Sequence, residues 1–200
     1  MVIGHIIGLL SSPTAEWEKI RDEVCSTSAC IFKHVVLMAA IPAISGYIGT
    51  TQVGWKIGAS GLHYLSNESA GMIAILTYLA MIAGIIGMGA MIQWMAETYG
   101  KPQSLSRCVV FAAYVATPLF LIGVMLFYPI LWLNMLLGLP AVAYSVFLLY
   151  SGIPIVMEMD KEKGFLFASS VLGLGLVAMV AILATTVILW GYGFGPQLTH

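Results

Sequence analysis

The sequence predicts an all-α membrane protein: a five-helix transmembrane bundle with a cytoplasmic amino terminus, a periplasmic carboxyl terminus and an N-terminal interfacial amphipathic helix. Three observations lead there. Hydrophobic residues make up 60% of the 200 residues and charged ones 8%, against roughly 25% charged in ordinary soluble domains. Apolar runs recur at close to the about 20 residues that a helix needs to cross the hydrocarbon core. Lysines and arginines divide unevenly between the connections, which orients the spans. The net charge of −1 provides no basic stripe of the kind nucleic acid requires, so no nucleic-acid partner is expected.

The opening "MVIGHIIGLL" has no Lys or Arg before its apolar part and no small-residue cleavage site after it, so it does not read as a signal peptide. The next stretch, "SSPTAEWEKIRDEV", has the marks of a capped helix: Ser12 at the N-cap, Pro13 at the first helical position, Glu16 and Glu18 early. Trp17, Ile20 and Val24 fall on one face at helical spacing, with charges on the other. This pattern places the segment along the cytoplasmic membrane surface, anchored by those three residues. Residues 1–30 are therefore expected to form a cytoplasmic interfacial segment, and 31–195 the five-span domain.

The spans are expected near 34–53, 71–95, 108–127, 131–150 and 165–190. The stretch from 108 to 150 holds no charge and is too long for one crossing. "FYPILW" divides it, because Pro129 cannot continue a helical hydrogen-bond ladder. Tyr128 and Trp132 then flank the turn, where interfacial aromatics belong. With the amino terminus inside, Lys19, Arg21, Lys33, Lys101, Arg107, Lys161 and Lys163 are cytoplasmic and only Lys56 is outside. This seven-to-one split is what the positive-inside rule asks. It also explains "IVMEMDKEKGF" (155–165), where Glu158, Asp160, Lys161, Glu162 and Lys163 crowd together. They mark the cytoplasmic connection between the fourth and fifth spans.

Candidate chemistry is sparse. Cys25, Cys30 and His34 have C-x4-C-x3-H spacing, and Cys108 opens the third span on the same side. A zinc site needs about four converging ligands, and this spacing matches no standard zinc module; the plain alternative is reduced thiols packed as small hydrophobes. Glu97, Glu158 and Asp160 all lie at the cytoplasmic boundary as a candidate cation or metal site, with loop charges paired to Arg107, Lys161 and Lys163 as the alternative. No ionisable group is placed near mid-depth, only hydroxyls such as Tyr114, Thr117 and Tyr144, which commonly serve as interhelical glue. Pro42, Pro118, Pro140 and Pro154 each disrupt a span. Ala80–Gly84, Ala83–Gly87 and Ser169–Gly173 are small-xxx-small pairs suited to close helix contact. No catalytic motif and no phosphate-cradling glycine loop appears, so neither enzymatic activity nor a cofactor is expected.

The strings "SPTAEWEKIRDE", "LMAAIPAISGYIGTTQVGW", "FAAYVATPLFLIGV", "LLYSGIP" followed by charges, and "TVILWGYG" resemble the bacterial branch of the Yip (Ypt/Rab-interacting protein) family, nearly end to end. The resemblance implies a five-helix inner-membrane domain with its amino terminus in the cytoplasm. Eukaryotic relatives bind small GTPases. This chain has neither their long cytosolic N-terminal region nor its D-L-Y-G-P element, so GTPase binding is not carried over. The expected role is a scaffold, adaptor or membrane-organising factor. Its expected partners are membrane lipids, other membrane proteins or a second copy of itself. A small channel or transporter using the kinked third and fourth spans, or a metal-binding membrane protein, is the alternative.

Overall fold

A computed structural model describes residues 2–23, 34–56, 61–192 and 195. In chain order the helices are α1 (Val2–Ser11), α2 (Pro13–Asp22), α3 (Val36–Ile48), α4 (Asn67–Thr98), α5 (Leu105–Val115), α6 (Thr117–Ile122), α7 (Leu131–Val156) and α8 (Lys161–Gly191). A π-helical turn, Gly49–Val53, extends α3, and a 3-10 turn, Gly123–Phe127, extends α6. Between α3 and α4 the backbone pairs briefly, Trp55 with His63. Among the described residues four helices are each long and apolar enough to cross a membrane: Val36–Val53, Asn67–Thr98, Leu131–Val156 and Lys161–Gly191. A fifth crossing exists if α5 and α6 with its 3-10 turn, bent by 41° where they meet, form one span.

The bend has the expected cause. Pro118 sits in the first turn of α6, and its ring cannot continue the ladder of α5. Pro42, Pro140 and Pro154, by contrast, lie inside helices that carry on past them. The ends of the long helices follow ordinary stop chemistry. The Lys101 N–H bonds the Ala96 carbonyl at 2.9 Å and Gly100 takes a φ of 71°, which closes α4 with a left-handed residue. Likewise the Met159 N–H bonds the Pro154 carbonyl at 3.0 Å, with Glu158 at φ 54°. The crowded charges after α7 thus begin on a helix stop, and Met159 tucks back into the core.

Packing joins α4 to α5, α3 to α4 and the α6 extension, and α7 to α6 and α8. Two helices approach closely at Gly89, where a Cβ would collide with Val109. Two of the small-residue pairs read from the sequence do not serve this purpose within the chain: Ala80, Ala83, Gly84 and Gly87 are exposed, and nothing lies within 4 Å of the missing side chains of Gly84 and Gly87. The first half of α8 reaches the core, through Phe167, Ala168 and Val171 with Leu172 and Leu174 packed beside them; its second half shows apolar side chains such as Val177, Ile182 and Val187 outward.

The N-terminal segment departs from expectation. It forms two helices rather than one, and α2 packs against α7. Trp17 is 0% exposed and Ile20 7%, so the face assigned to lipid is buried in protein. The reason is a better apolar partner: the groove between α5 and α7 accepts the whole indole. Val24 lies outside the described residues.

Candidate functional site

Ser12 alone joins α1 to α2, and the charge-free helix folds back on the charged one. Gly8 permits the approach, since a Cβ there would overlap the Glu16 carboxyl. His5 then reaches two carboxylates of α2. Its Nδ1 stands 2.6 Å from Glu16 Oε1 and its Nε2 3.0 Å from Glu23 Oε1. Lys19 Nζ donates to Glu16 Oε2 at 2.9 Å. A neutral imidazole has a single N–H, so both carboxylates act as acceptors only when the ring is doubly protonated. Burial by itself would raise the Glu16 carboxyl, but the hydrogen bonds from Lys19 and His5 outweigh it and hold the group below the usual glutamate value.

The hairpin sits on α5 and α7. The Trp17 ring centroid is 5.0 Å from that of Phe111, and both rings lie over Gly152. A Cβ at Gly152 would come 2.6 Å from Phe111 and 2.7 Å from Trp17, so only glycine leaves the space. The Tyr144 hydroxyl donates to the Leu9 carbonyl at 2.7 Å. Tyr114 lies between two histidines, its ring centroid 5.6 Å from His5 and 4.6 Å from His34. At the break between α5 and α6, the Thr117 hydroxyl donates to the Ala113 carbonyl at 3.1 Å. Thr117 therefore accepts from His34 Nε2–H, at 3.0 Å. His5, Glu16, Tyr114, His34 and Thr117 thus form a polar row in a largely apolar core, with Glu23 at its exposed end. Such a row can lock the hairpin in place.

Sequence reasoning missed this row. It placed residues 13–24 on the membrane surface and placed no ionisable group near mid-depth. The signal was present, because Glu16, Ile20 and Glu23 recur on one helical face beside Trp17. A lone His5 in an apolar decamer was the second clue. Of the residues singled out for metal, His34 joins the polar row, and Cys108 is buried on α5. Cys25 and Cys30 lie outside the described residues. Glu97, Glu158 and Asp160 are exposed, and Arg107 Nη1 approaches Glu158 Oε1 at 3.5 Å. Among the described residues no three His, Cys, Asp or Glu side chains converge in a way that can hold a metal ion. The triple change Glu97→Gln, Glu158→Gln and Asp160→Asn is accordingly expected to shift thermal unfolding in detergent by about 0–1 kcal/mol, the scale of exposed ion pairs. The shift should be the same with and without added divalent ions.

The Yip1 domain profile matches residues 7–182, from within α1 into α8. The chain belongs to the Yip1 domain family. Its Yip1 domain thus includes α2 and the polar row other than His5, as well as the apolar helices. The chain is 46% identical to the inner membrane protein YohC of Escherichia coli strain K12 over 192 residues, 96% of this chain and 98% of that protein. It is equally similar to YohC of Escherichia coli O6:H1. With its apolar helices, this makes it a multi-pass inner-membrane protein. No solved structure matches the chain.

Proposed function

We propose that this Yip1 domain protein crosses the inner membrane five times, amino terminus inside and carboxyl terminus outside. In this reading it acts without catalysis as a scaffold or adaptor that organises the membrane around it. The observation that carries the role is the contrast between its two surfaces. The interior is closed around Trp17, Phe111 and Phe167, each fully buried, while α4 and α8 turn most of their apolar surface outward. A protein built this way works through what its helices touch: lipids, other membrane proteins or a second copy of itself. Small-GTPase binding is not part of the proposal. Cross-linking in intact membranes, followed by identification of the captured proteins, tests the role. Recovery of the uncross-linked monomer alone would remove it.

The orientation is supported by the seven-to-one distribution of cations. Cysteines introduced at Leu62 and at Glu162, both exposed, in a chain stripped of its native cysteines, test it. An impermeant thiol reagent applied to intact cells is expected to label position 62 and spare 162. Equal labelling would defeat the topology.

A second reading, a small channel or transporter, is favoured by the bend of α5 onto α6 and the polar contact of His34 with Thr117 beside it. Solute flux into liposomes carrying the purified protein, abolished by His34→Phe, would move the assignment to that class.

A further inference from the structure

We propose that α1 and α2 form a re-entrant hairpin, and that the outer face of α1, Ile7 and Leu10, is a contact surface for lipid acyl chains near the middle of the bilayer.

The depth follows from the partners of α1. Tyr144, whose hydroxyl holds the Leu9 carbonyl at 2.7 Å, lies twelve residues before the end of α7 at Val156. At 1.5 Å per residue this is about 18 Å along the helix axis. The hydrocarbon core is about 30 Å thick, and α7 with 26 residues overspans it by a few ångströms at each end. Leu9 therefore lies close to the midplane. Tyr114, against which His5 packs, is nine residues into α5, about 14 Å from its start. Two partners on different spans thus place α1 well inside the membrane.

The hairpin returns to the surface it left. Trp17 on α2 meets Gly152, four residues from the end of α7, and the Arg21–Asp22 pair lies within electrostatic range of Glu158 and Arg107 at the ends of α7 and α5. The α2 charges Glu18, Lys19 and Asp22 therefore remain near water, while α1, which carries no Lys, Arg, Asp or Glu, goes deep. Ile7 is 60% and Leu10 54% exposed. They lie at the level of Val142 and Phe147, which bracket Tyr144 and face outward from α7. At that depth the medium around an outward apolar side chain is hydrocarbon. The membrane-contacting helix is thus α1, and α2 is its packed inner partner.

Nitroxide labels on Leu10→Cys, Ile7→Cys and Glu18→Cys test this, each in the full chain without native cysteines, reconstituted in phospholipid vesicles. All three positions are exposed, so the labels leave the packing of the hairpin untouched. The labels at Leu10 and Ile7 are expected to collide with dissolved oxygen several-fold more than with a water-soluble nickel chelate, and the label at Glu18 to show the reverse. Nickel access at Leu10 and Ile7 equal to that at Glu18 would overturn the proposal by placing the hairpin in water. Exclusion of both relaxants would overturn it by placing protein, such as a second copy, over this face. The inference rests on α7 crossing the bilayer and not on which end is inside. An inverted labelling result at positions 62 and 162 would end the proposed orientation and leave the depth of Leu10 unchanged.

Discussion

Replacing Trp17 with Ala is expected to cost about 3–5 kcal/mol of stability, in line with large-to-small changes at fully buried aromatic positions. The indole is 0% exposed and fits a groove that Gly152 keeps open against Phe111. Its loss removes the contact and leaves a void that helices fixed on both sides cannot close. The variant should unfold earlier in detergent, and the segment 1–23 should become sensitive to protease while the spans stay inserted. Gly152→Val should give the same protease phenotype from the opposite side of the groove, by overfilling rather than emptying it. A Trp17→Ala protein as protease-resistant as the parent would show that contacts elsewhere hold the hairpin.

Glu16→Ala is the second large effect expected. The carboxyl is 6% exposed and receives both His5 and Lys19. Removing one partner from a buried pair strands the other charge, at a cost of about 3–5 kcal/mol. The double change His5→Leu with Glu16→Leu should cost clearly less than the sum of the single changes, because neither charge is then stranded. Additive costs would mean that the two residues act independently. Acid should mimic the loss. Glu16 titrates below its ordinary 4.5 in the folded protein, so its contribution is present above that value and fades as the pH falls through the lower, folded-state one. Glu16→Gln should flatten this acid limb of the stability profile.

The long elements were legible because their signals are local. Spans read near 71–95, 131–150 and 165–190 appear as helices over 67–98, 131–156 and 161–191, and the turn at Pro129 stands where a proline must interrupt a charge-free run. The extra turns at each end come from capping that hydropathy does not register, such as the Ser66 hydroxyl accepting from the Ser69 N–H. The hairpin was not legible, because its amphipathic pattern is the same whether the apolar face meets lipid or protein. Only the groove at Gly152, far away in sequence, decides between them. Glu16 was read as a charge near a helix start, which it is. That its carboxyl also faces His5 across Gly8 is a tertiary fact. Pro118 was correctly read as a break, but the docking of His34 onto Thr117 links residues 83 apart, beyond the reach of any local pattern.

The seat of Trp17 also constrains the order of assembly. The indole is synthesised first and its groove last: Gly152 emerges roughly 130 residues after the end of α2. At about 5–20 residues per second this is a delay of about 6–26 s. During that interval α1 and α2 have no groove to enter. Docking of the hairpin therefore follows the emergence of α7, a late step in biogenesis.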